Sequence, residues 1–363
     1  MKQVKLIIIG GFLGAGKTTA VISLADQIRK SGKTAAVITN DQTAGLVDTE
    51  LVRQSGFPTQ EVSKGCFCCN FHDFARCLHQ LRAEYDPDII LAEPVGSCTD
   101  LLSTIMKPIK NKEAGSFYPA PLSVLVDPQR LDTLGPGGSN PFRRPEVSYL
   151  FLKQLEEADL IVLNKIDTLA PSQLTRYLSL LHQNFPTAKV LPISAKTGAG
   201  LDGWLAELDQ VPSFDKPSPA IAYDTYAAAE AALGWLNATA ALTAPNGFKL
   251  DSFLVSLGEN IRTALEKREE EIAHLKLCAI GSEDLSKLSC VGMHSPVSLD
   301  RKTDETCNNA YLIMNIRAAC APDKLLSISN EILDKTASEQ NISLSARKTD
   351  CFAPSYPNPV FRM

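Results

Sequence analysis

The sequence predicts an α/β protein, in which a doubly wound and mostly parallel sheet is followed by a smaller α+β domain. Along the first part of the chain, short apolar runs alternate with segments of helical periodicity. These runs are apolar throughout, as expected of strands that helices cover on both faces. Further along, the predicted order becomes strand-helix-strand-strand-helix-strand, which is typical of a ferredoxin-like sandwich. The two patterns together indicate two domains.

The individual elements follow from these runs. In the first domain, strands are predicted at residues 4–9, 35–39, 88–92, 122–126, 160–163 and 190–193. Residues 211–220 contain three prolines, which favours a linker. We therefore predict a first domain over 1–212, a linker over 213–220 and a second domain over 221–363. In the second domain, strands are predicted at 221–231, 274–280, 288–293, 310–317 and 342–348, and helices at 251–271 and 322–335.

The composition is that of a soluble globular protein and narrows the range of partners. The chain has 363 residues and a net charge of −5, so no basic excess favours nucleic acid as a partner. No apolar run approaches the roughly 20 residues that span a bilayer, so no membrane partner is expected. No export signal is recognised, and we expect a cytoplasmic protein whose 10 cysteines are thiols.

A glycine-rich motif, GFLGAGKT at residues 11–18, follows the first predicted strand and opens a predicted helix. Glycines let the backbone N–H groups wrap a phosphate, and the helix N-terminus adds partial positive charge. We predict that Lys17 neutralises the β- and γ-phosphates and that Thr18 binds Mg²⁺. A chance glycine-rich turn is the alternative, which the strand-loop-helix context disfavours. The predicted phosphate-binding residues are Gly11, Gly14, Ala15, Gly16, Lys17, Thr18 and Thr19.

A second motif predicts that the nucleotide is GTP. Asn164, Lys165 and Asp167 stand in an Asn-Lys-x-Asp pattern directly after a predicted strand. A carboxylate there accepts hydrogen bonds from N1–H and N2–H₂ of guanine, a pair that adenine does not offer. A later Ser194-Ala195-Lys196 is the usual companion of this motif in GTPases and completes the guanine pocket. Ordinary helix-capping residues are the alternative for each motif taken alone.

A glutamate turn ends the third predicted strand. Glu93 is expected to face the Mg²⁺ ion from the carboxyl edge of the sheet, and the N–H of Gly96 is expected to approach the γ-phosphate. A capping glutamate followed by a proline turn is the alternative.

Three cysteines, Cys66, Cys68 and Cys69, lie within four residues. Close thiolates repel each other unless a cation neutralises them, and thiolate sulfur suits Zn²⁺, with Co²⁺ or Ni²⁺ as alternatives. Buried structural cysteines and a redox role are the competing interpretations. Three ligands leave one tetrahedral position open, to be taken by water, a residue of a receiving protein, Cys98, Cys77 or His72.

Taken together, these motifs resemble the CobW family of metallochaperone GTPases, relatives of the hydrogenase- and urease-maturation GTPases. Residues 60–69 (QEVSKGCFCC) match the family segment closely. The resemblance implies a doubly wound GTPase domain with a smaller C-terminal domain. The chain departs from the family where Asp41 replaces a glutamate, and where Pro94 replaces a serine or threonine after Glu93.

The predicted function is GTP hydrolysis coupled to delivery of a transition metal, with GTP, GDP and Mg²⁺ as nucleotide and cofactor. The predicted catalytic residues are Lys17, Thr18, Glu93 and Asp41. The expected partner is a client metalloprotein or a cobalamin-related protein, and a homodimer is left open. The alternatives are a GTPase chaperone that matures or reactivates a cobalamin- or metal-dependent enzyme, a P-loop small-molecule kinase or ATP-dependent ligase, and a metal-storage module.

Overall fold

A computed structural model of the chain describes residues 2–40, 47–63, 65–132, 134, 142, 144–212, 214, 217–292 and 295–363. The predicted catalytic Asp41 and residues 213, 215 and 216 of the predicted linker lie outside the described residues. The chain divides into two compact units. The first comprises Met1–Ala44, Asp48–Ala229 and Tyr356–Met363, and the second comprises Gly45–Val47 and Glu230–Ser355.

The first unit contains the predicted parallel sheet. Its strands are β1 (Val4–Gly11), β2 (Ala35–Asn40), β3 (Thr59–Val62), β4 (Ile89–Glu93), β5 (Phe117–Pro119), β6 (Ser123–Val126), β7 (Leu160–Leu163) and β8 (Lys189–Pro192). They lie in the order β3-β2-β4-β1-β6-β7-β8, with β5 also paired to β1, and the pairs are parallel. The doubly wound, mostly parallel sheet is therefore confirmed.

Helices connect these strands. They are α1 (Lys17–Lys30), α2 (Val47–Gln54), α3 (Phe71–Tyr85), α4 (Lys107–Lys112), α5 (Pro145–Glu157), α6 (Pro171–Asn184), α7 (Leu201–Glu207) and α8 (Tyr223–Ala231). A π-helical turn, Leu102–Met106, precedes α4. Helix α1 is an example of why these segments are helical. Its apolar residues Val21, Leu24 and Ile28 recur at helical spacing, and they are buried in one core with Ile7 and Ile9 of β1.

The parallel arrangement positions the predicted motifs. Strands that run in the same direction end at the same edge of the sheet, and β1 lies between β4 and β6, where the chain order reverses. The glycine loop after β1, the glutamate at the end of β4 and the Asn-Lys-x-Asp motif after β7 therefore share one edge. Strands β3 and β5 were not predicted, because β3 is short and polar and β5 has three residues that include a proline.

The second unit is an α+β sandwich. Its antiparallel strands are β9 (Gly234–Lys249), β10 (Ile272–Ile280), β11 (Leu285–Cys290), β12 (Ser298–Arg301), β13 (Thr306–Ala318) and β14 (Ser343–Phe352), and its helices are α9 (Leu250–Glu266) and α10 (Pro322–Glu339). The sheet order is β12-β11-β10-β13-β9-β14. The four strands β10-β13-β9-β14 with the two helices have the ferredoxin-like arrangement, and β11 and β12 extend one edge.

One predicted element of this region is wrong. Residues 221–231 were predicted to be a strand, but α8 occupies Tyr223–Ala231. Four of the nine helical residues are alanines, and alanine has the strongest intrinsic helix preference. The first strand of the sandwich is instead Gly234–Lys249. Among the described helices, none combines the length and the apolar character needed to cross a membrane.

Candidate functional site

The glycine loop between β1 and α1 has a backbone shape that requires glycine. Gly11 and Gly16 have φ values of 131° and 87°, which side chains rarely allow. A Cβ at Gly11 would lie 2.4 Å from the carbonyl oxygen of Leu125, and one at Gly16 would lie 2.6 Å from Nδ2 of Asn164. Because α1 begins at Lys17, the N–H groups of its first turn and its dipole face the loop.

Two polar side chains meet beside this loop. Oγ1 of Thr18 donates a hydrogen bond of 3.1 Å to Oε1 of Glu93, and both residues are buried. Hydroxyl and carboxylate oxygens are the ligands that Mg²⁺ prefers, so the pair fits a magnesium ion. The Nζ of Lys17 lies 3.5 Å from the carbonyl oxygen of Phe12, at the inner side of the loop.

The predicted guanine motifs are bound to each other and to the glycine loop. The side chain of Asn164 donates to the carbonyl oxygen of Ala15 at 2.9 Å and accepts from the N–H of Ala195 at 2.9 Å. Oγ of Ser194 donates to Oδ1 of Asp167 at 2.6 Å. The Asn-Lys-x-Asp motif and the Ser-Ala-Lys loop are therefore joined by hydrogen bonds, and a hydroxyl orients the Asp167 carboxylate.

Lys165 bridges the same motif to a residue that the sequence analysis missed. Its Nζ donates to the carbonyl oxygen of Gly14 at 2.9 Å and forms an ion pair of 2.6 Å with Oδ2 of Asp127. The signal was available, because Asp127 follows the last residue of β6, at the edge where the other motifs lie. Of the other predicted residues, Thr19 is half-buried in α1 and Lys196 is exposed.

The cysteine motif lies in the loop between β3 and α3. The Sγ atoms of Cys66 and Cys68 are 2.9 Å apart, those of Cys66 and Cys69 are 3.2 Å apart, and those of Cys68 and Cys69 are 3.8 Å apart. Tetrahedral zinc with sulfur at about 2.3 Å places two thiolates about 3.8 Å apart, so the cluster fits this ion with small adjustments. The N-terminus of α3, just after Cys69, favours negative charge on these sulfurs.

Hydrogen bonds from the neighbouring thiols converge on the sulfur of Cys66. Bonds from the thiols of Cys68, Cys69 and Cys98 hold the pKa of Cys66 well below its ordinary value. The bond to Cys66 raises the pKa of Cys68, and in the same way raises that of Cys69 to about 11. A cation that binds at these sulfurs displaces protons from the thiols.

The end of β2 holds the cysteine loop in place. Nδ2 of Asn40 donates to the carbonyl oxygens of Val62 at 2.9 Å and Gly65 at 2.8 Å, and its Oδ1 accepts from the N–H of Phe67 at 2.9 Å. Asn40 is buried, and both the nitrogen and the oxygen of its side-chain amide form hydrogen bonds. The sequence analysis assigned it no role, because these partners belong to a different loop.

A second turn packs between the glycine loop and α5. A Cβ at Gly96 would lie 3.1 Å from the backbone nitrogen of Leu13, so this glycine permits close approach to the glycine loop. The side-chain amide of Gln154 in α5 donates to the carbonyl oxygens of Gly96 at 3.0 Å and Cys98 at 2.8 Å. The turn after Glu93 is therefore fixed from both sides.

The segment Tyr356–Met363 lies on the cysteine loop, which the sequence analysis did not predict. The N–H of Val360 donates to the carbonyl oxygen of Cys68 at 2.9 Å. The backbone N–H of Asn358 donates to the sulfur of Cys69 and favours its thiolate form.

Side chains anchor the same segment. The rings of Phe361 and Phe71 meet edge to face at 5.1 Å. Nε of Arg362 forms an ion pair of 2.7 Å with Oδ2 of Asp100, which also accepts from the hydroxyl of Tyr223 at 2.8 Å. Asp100 is two residues beyond Cys98, so the segment contacts both the loop of Cys66, Cys68 and Cys69 and the turn that carries Cys98.

Comparison with known families agrees with this geometry. The model of the "CobW/HypB/UreG, nucleotide-binding domain" family matches residues 5–192, more than half of the chain. The chain belongs to the CobW/HypB/UreG family. The resemblance inferred from the motifs is therefore confirmed, and the matched residues include the glycine loop, the cysteine motif and the Asn-Lys-x-Asp motif.

Curated members of the family match over part of their length. The chain is 30% identical over 167 residues to the zinc chaperone YeiR of Escherichia coli (strain K12), which covers 45% of this chain and 47% of YeiR. It is 28% identical over 218 residues to the zinc chaperone CobW of Pseudomonas aeruginosa, which covers 52% of this chain and 56% of that protein. The matches thus span about half the length of these relatives.

A solved structure is also similar. The zinc-bound YjiA GTPase of E. coli aligns over 93% of this chain and 99% of its own, with 17% identity and a TM-score of 0.38. This likeness is too weak to carry a conclusion about function.

Proposed function

We propose that this chain hydrolyses GTP and uses the nucleotide cycle to bind and release a transition metal, with zinc as the first candidate. The observation that carries the proposal is the cluster of three thiols within 3.8 Å of one another. Strand β2 connects the thiol cluster to the nucleotide edge, which is the edge of the parallel sheet where the glycine loop, Glu93 and the Asn-Lys-x-Asp motif lie. Asn40 holds the cysteine loop, and its neighbour Thr39 pairs with Glu93 in the sheet.

The nucleotide edge supports a guanine nucleotide. Ser194 orients Asp167, whose carboxylate would accept from N1–H and N2–H₂ of guanine. The ammonium group of Lys17 would neutralise the β- and γ-phosphates while the loop N–H groups hold their oxygens. Thr18 and Glu93 would hold Mg²⁺, which would supply further charge neutralisation. An ATP-dependent kinase or ligase is the weaker alternative, because adenine offers no donor pair to Asp167.

The metal is the cargo in this proposal. Thiolate ligands suit Zn²⁺ and also accept Co²⁺ and Ni²⁺, and the names of the two curated relatives support zinc. Cys66 and Cys68 are buried, whereas Cys69 is half-buried. The ligands of a client metalloprotein would therefore approach from the side of Cys69 and replace it first.

The proposal is tested by metal content and nucleotide preference on protein purified under reducing conditions. We expect a single zinc ion per wild-type chain, loss of that ion when Cys66, Cys68 and Cys69 are changed together to serine, and hydrolysis of GTP in preference to ATP. Cys351→Ser is the matched control, because this half-buried cysteine belongs to β14 of the second unit. Full zinc content in the triple variant, or equal turnover of ATP, would contradict the proposal.

A further inference from the structure

We propose that Cys98 is the fourth ligand of the metal, so that four sulfur atoms hold it. This inference rests on the proposed function, because it takes for granted that Cys66, Cys68 and Cys69 bind the ion. Zinc in protein sites is almost always four-coordinate, and four cysteines form one of its common ligand sets.

The position of Cys98 supports this role. Its thiol forms hydrogen bonds with the thiols of both Cys66 and Cys68, and the residue is 1% exposed. Cys98 reaches the cluster from the turn after β4, whereas the other thiols come from the loop after β3. A ligand from a second loop can occupy the fourth position of a tetrahedral site that the first loop leaves open.

The turn that carries Cys98 is built to hold it there. Gln154 is 1% exposed and donates to the carbonyl oxygen of Cys98 at 2.8 Å, and the N–H of Cys98 donates to the carbonyl oxygen of Val95 at 2.9 Å. The next residue, Thr99, donates to Oε1 of the buried Glu157 at 3.3 Å. Hydrogen bonds of this kind, made to a ligand residue by residues that do not touch the ion, fix the orientation of the ligand and its distance from the ion.

The other candidates for the fourth position have different neighbours. Cys77 lies in α3 beside Asp73 and Arg76. His72 is exposed, and its ring packs edge to face against Phe361 at 5.8 Å. Cys98 is therefore the candidate that the geometry brings to the cluster.

The structure also offers N–H donors for the negative charge that a site of four cysteines would carry. Binding by Cys98 breaks its S–H bond, forms a sulfur–metal bond and releases the proton to solvent, with no change of oxidation state. Four thiolates around Zn²⁺ leave a charge of −2, which needs N–H donors nearby. The N–H of Asn358 donates to the sulfur of Cys69, and the N-terminus of α3 follows directly.

X-ray absorption on the zinc-loaded wild type tests the ligand set without any substitution. We expect four sulfur neighbours at about 2.3 Å from zinc. Three sulfurs with one oxygen or nitrogen would overturn the assignment of Cys98 while leaving a metal site at the other three cysteines. Failure of the wild type to bind zinc would overturn both this inference and the proposed function.

Substitution provides an independent test with Co²⁺ and Zn²⁺ as probes. In Cys98→Ser we expect the sulfur-to-cobalt charge-transfer band to fall by about one quarter, because one of four thiolates is lost. Zinc affinity should fall by more than the roughly 10- to 100-fold that loss of an outer-shell contact causes. Cys77→Ser is the matched control, because it removes a buried thiol of the same size. An undiminished cobalt band in Cys98→Ser would overturn the inference.

Discussion

Changing Asp167 to asparagine should weaken the preference for GTP. The carboxylate is expected to accept from N1–H and N2–H₂ of guanine while Ser194 donates to Oδ1 at 2.6 Å. Hydrogen bonds to a charged group contribute roughly 1.5–3 kcal/mol each. Asparagine keeps one acceptor oxygen and replaces the other with an N–H₂ group, so one of the two guanine contacts is lost. The expected loss of about 2–3 kcal/mol corresponds to roughly 10²-fold in affinity.

The assay is competition between GTP, ATP and XTP for a fluorescent nucleotide, measured on wild type and Asp167→Asn. Xanthine carries an oxygen where guanine carries its 2-amino group, so the new amide should donate to it and XTP should gain affinity. Asp132→Asn serves as a control, because this half-exposed carboxylate accepts from the hydroxyl of Tyr177 and is not part of the motif. Unchanged preference for GTP in Asp167→Asn would refute the guanine assignment.

Three further predictions concern the phosphates, the thiols and the segment over them. Lys17→Ala should reduce GTP hydrolysis by about 10²-fold or more, since it removes charge stabilisation of the transition state, and an unaltered melting curve would show that the fold persists. Zinc binding should release protons near pH 7 and strengthen as pH rises, because the pKa values of Cys68 and Cys69 are raised and protons compete with the ion. Calorimetry in buffers of different ionisation enthalpy measures this release, and pH-independent affinity would contradict it. Arg362→Ala leaves the buried Asp100 without its ion pair, so we expect the free energy of unfolding to fall by about 1–3 kcal/mol. We also expect zinc to transfer faster to a chelator, and transfer at the wild-type rate would contradict this.

Much of the nucleotide edge was predictable because its motifs are local. A glycine loop, a glutamate turn and an Asn-Lys-x-Asp motif each follow a strand, and parallel strands bring all their carboxyl ends to one edge. Even so, the bonds from Asn164 to Ala15 and from Lys165 to Asp127 join segments far apart in sequence. They depend on the order of strands in the sheet, which single-sequence patterns do not determine.

The contacts around the cysteines were harder to predict, because they also join segments that are far apart in sequence. Cys98 was one of several candidates for the fourth ligand, and its hydrogen bonds to the thiols of Cys66 and Cys68 distinguish it from Cys77. The contact between Val360 and Cys68 joins two regions that share no sequence pattern. Alanines in the segment at Tyr223–Ala231 formed a helix because local preference outweighed the expected strand order.

The central claim is that nucleotide and metal are coupled, and a pair of zinc titrations tests it most directly. The turn after Glu93 packs its Gly96 against the glycine loop at Leu13 and carries Cys98 to the thiol cluster. A γ-phosphate that orders this turn should therefore preorganise the metal site. Zinc should bind more tightly with a GTP analogue than with GDP by about 1–3 kcal/mol, and zinc should tighten the analogue equally.

The same titrations on the variant with serine at Cys66, Cys68 and Cys69 provide the control. There we expect no stoichiometric zinc and no nucleotide effect, with basal binding of the GTP analogue preserved because the glycine loop is unchanged. Equal zinc affinity in the GTP analogue and in GDP for the wild-type protein would contradict the account.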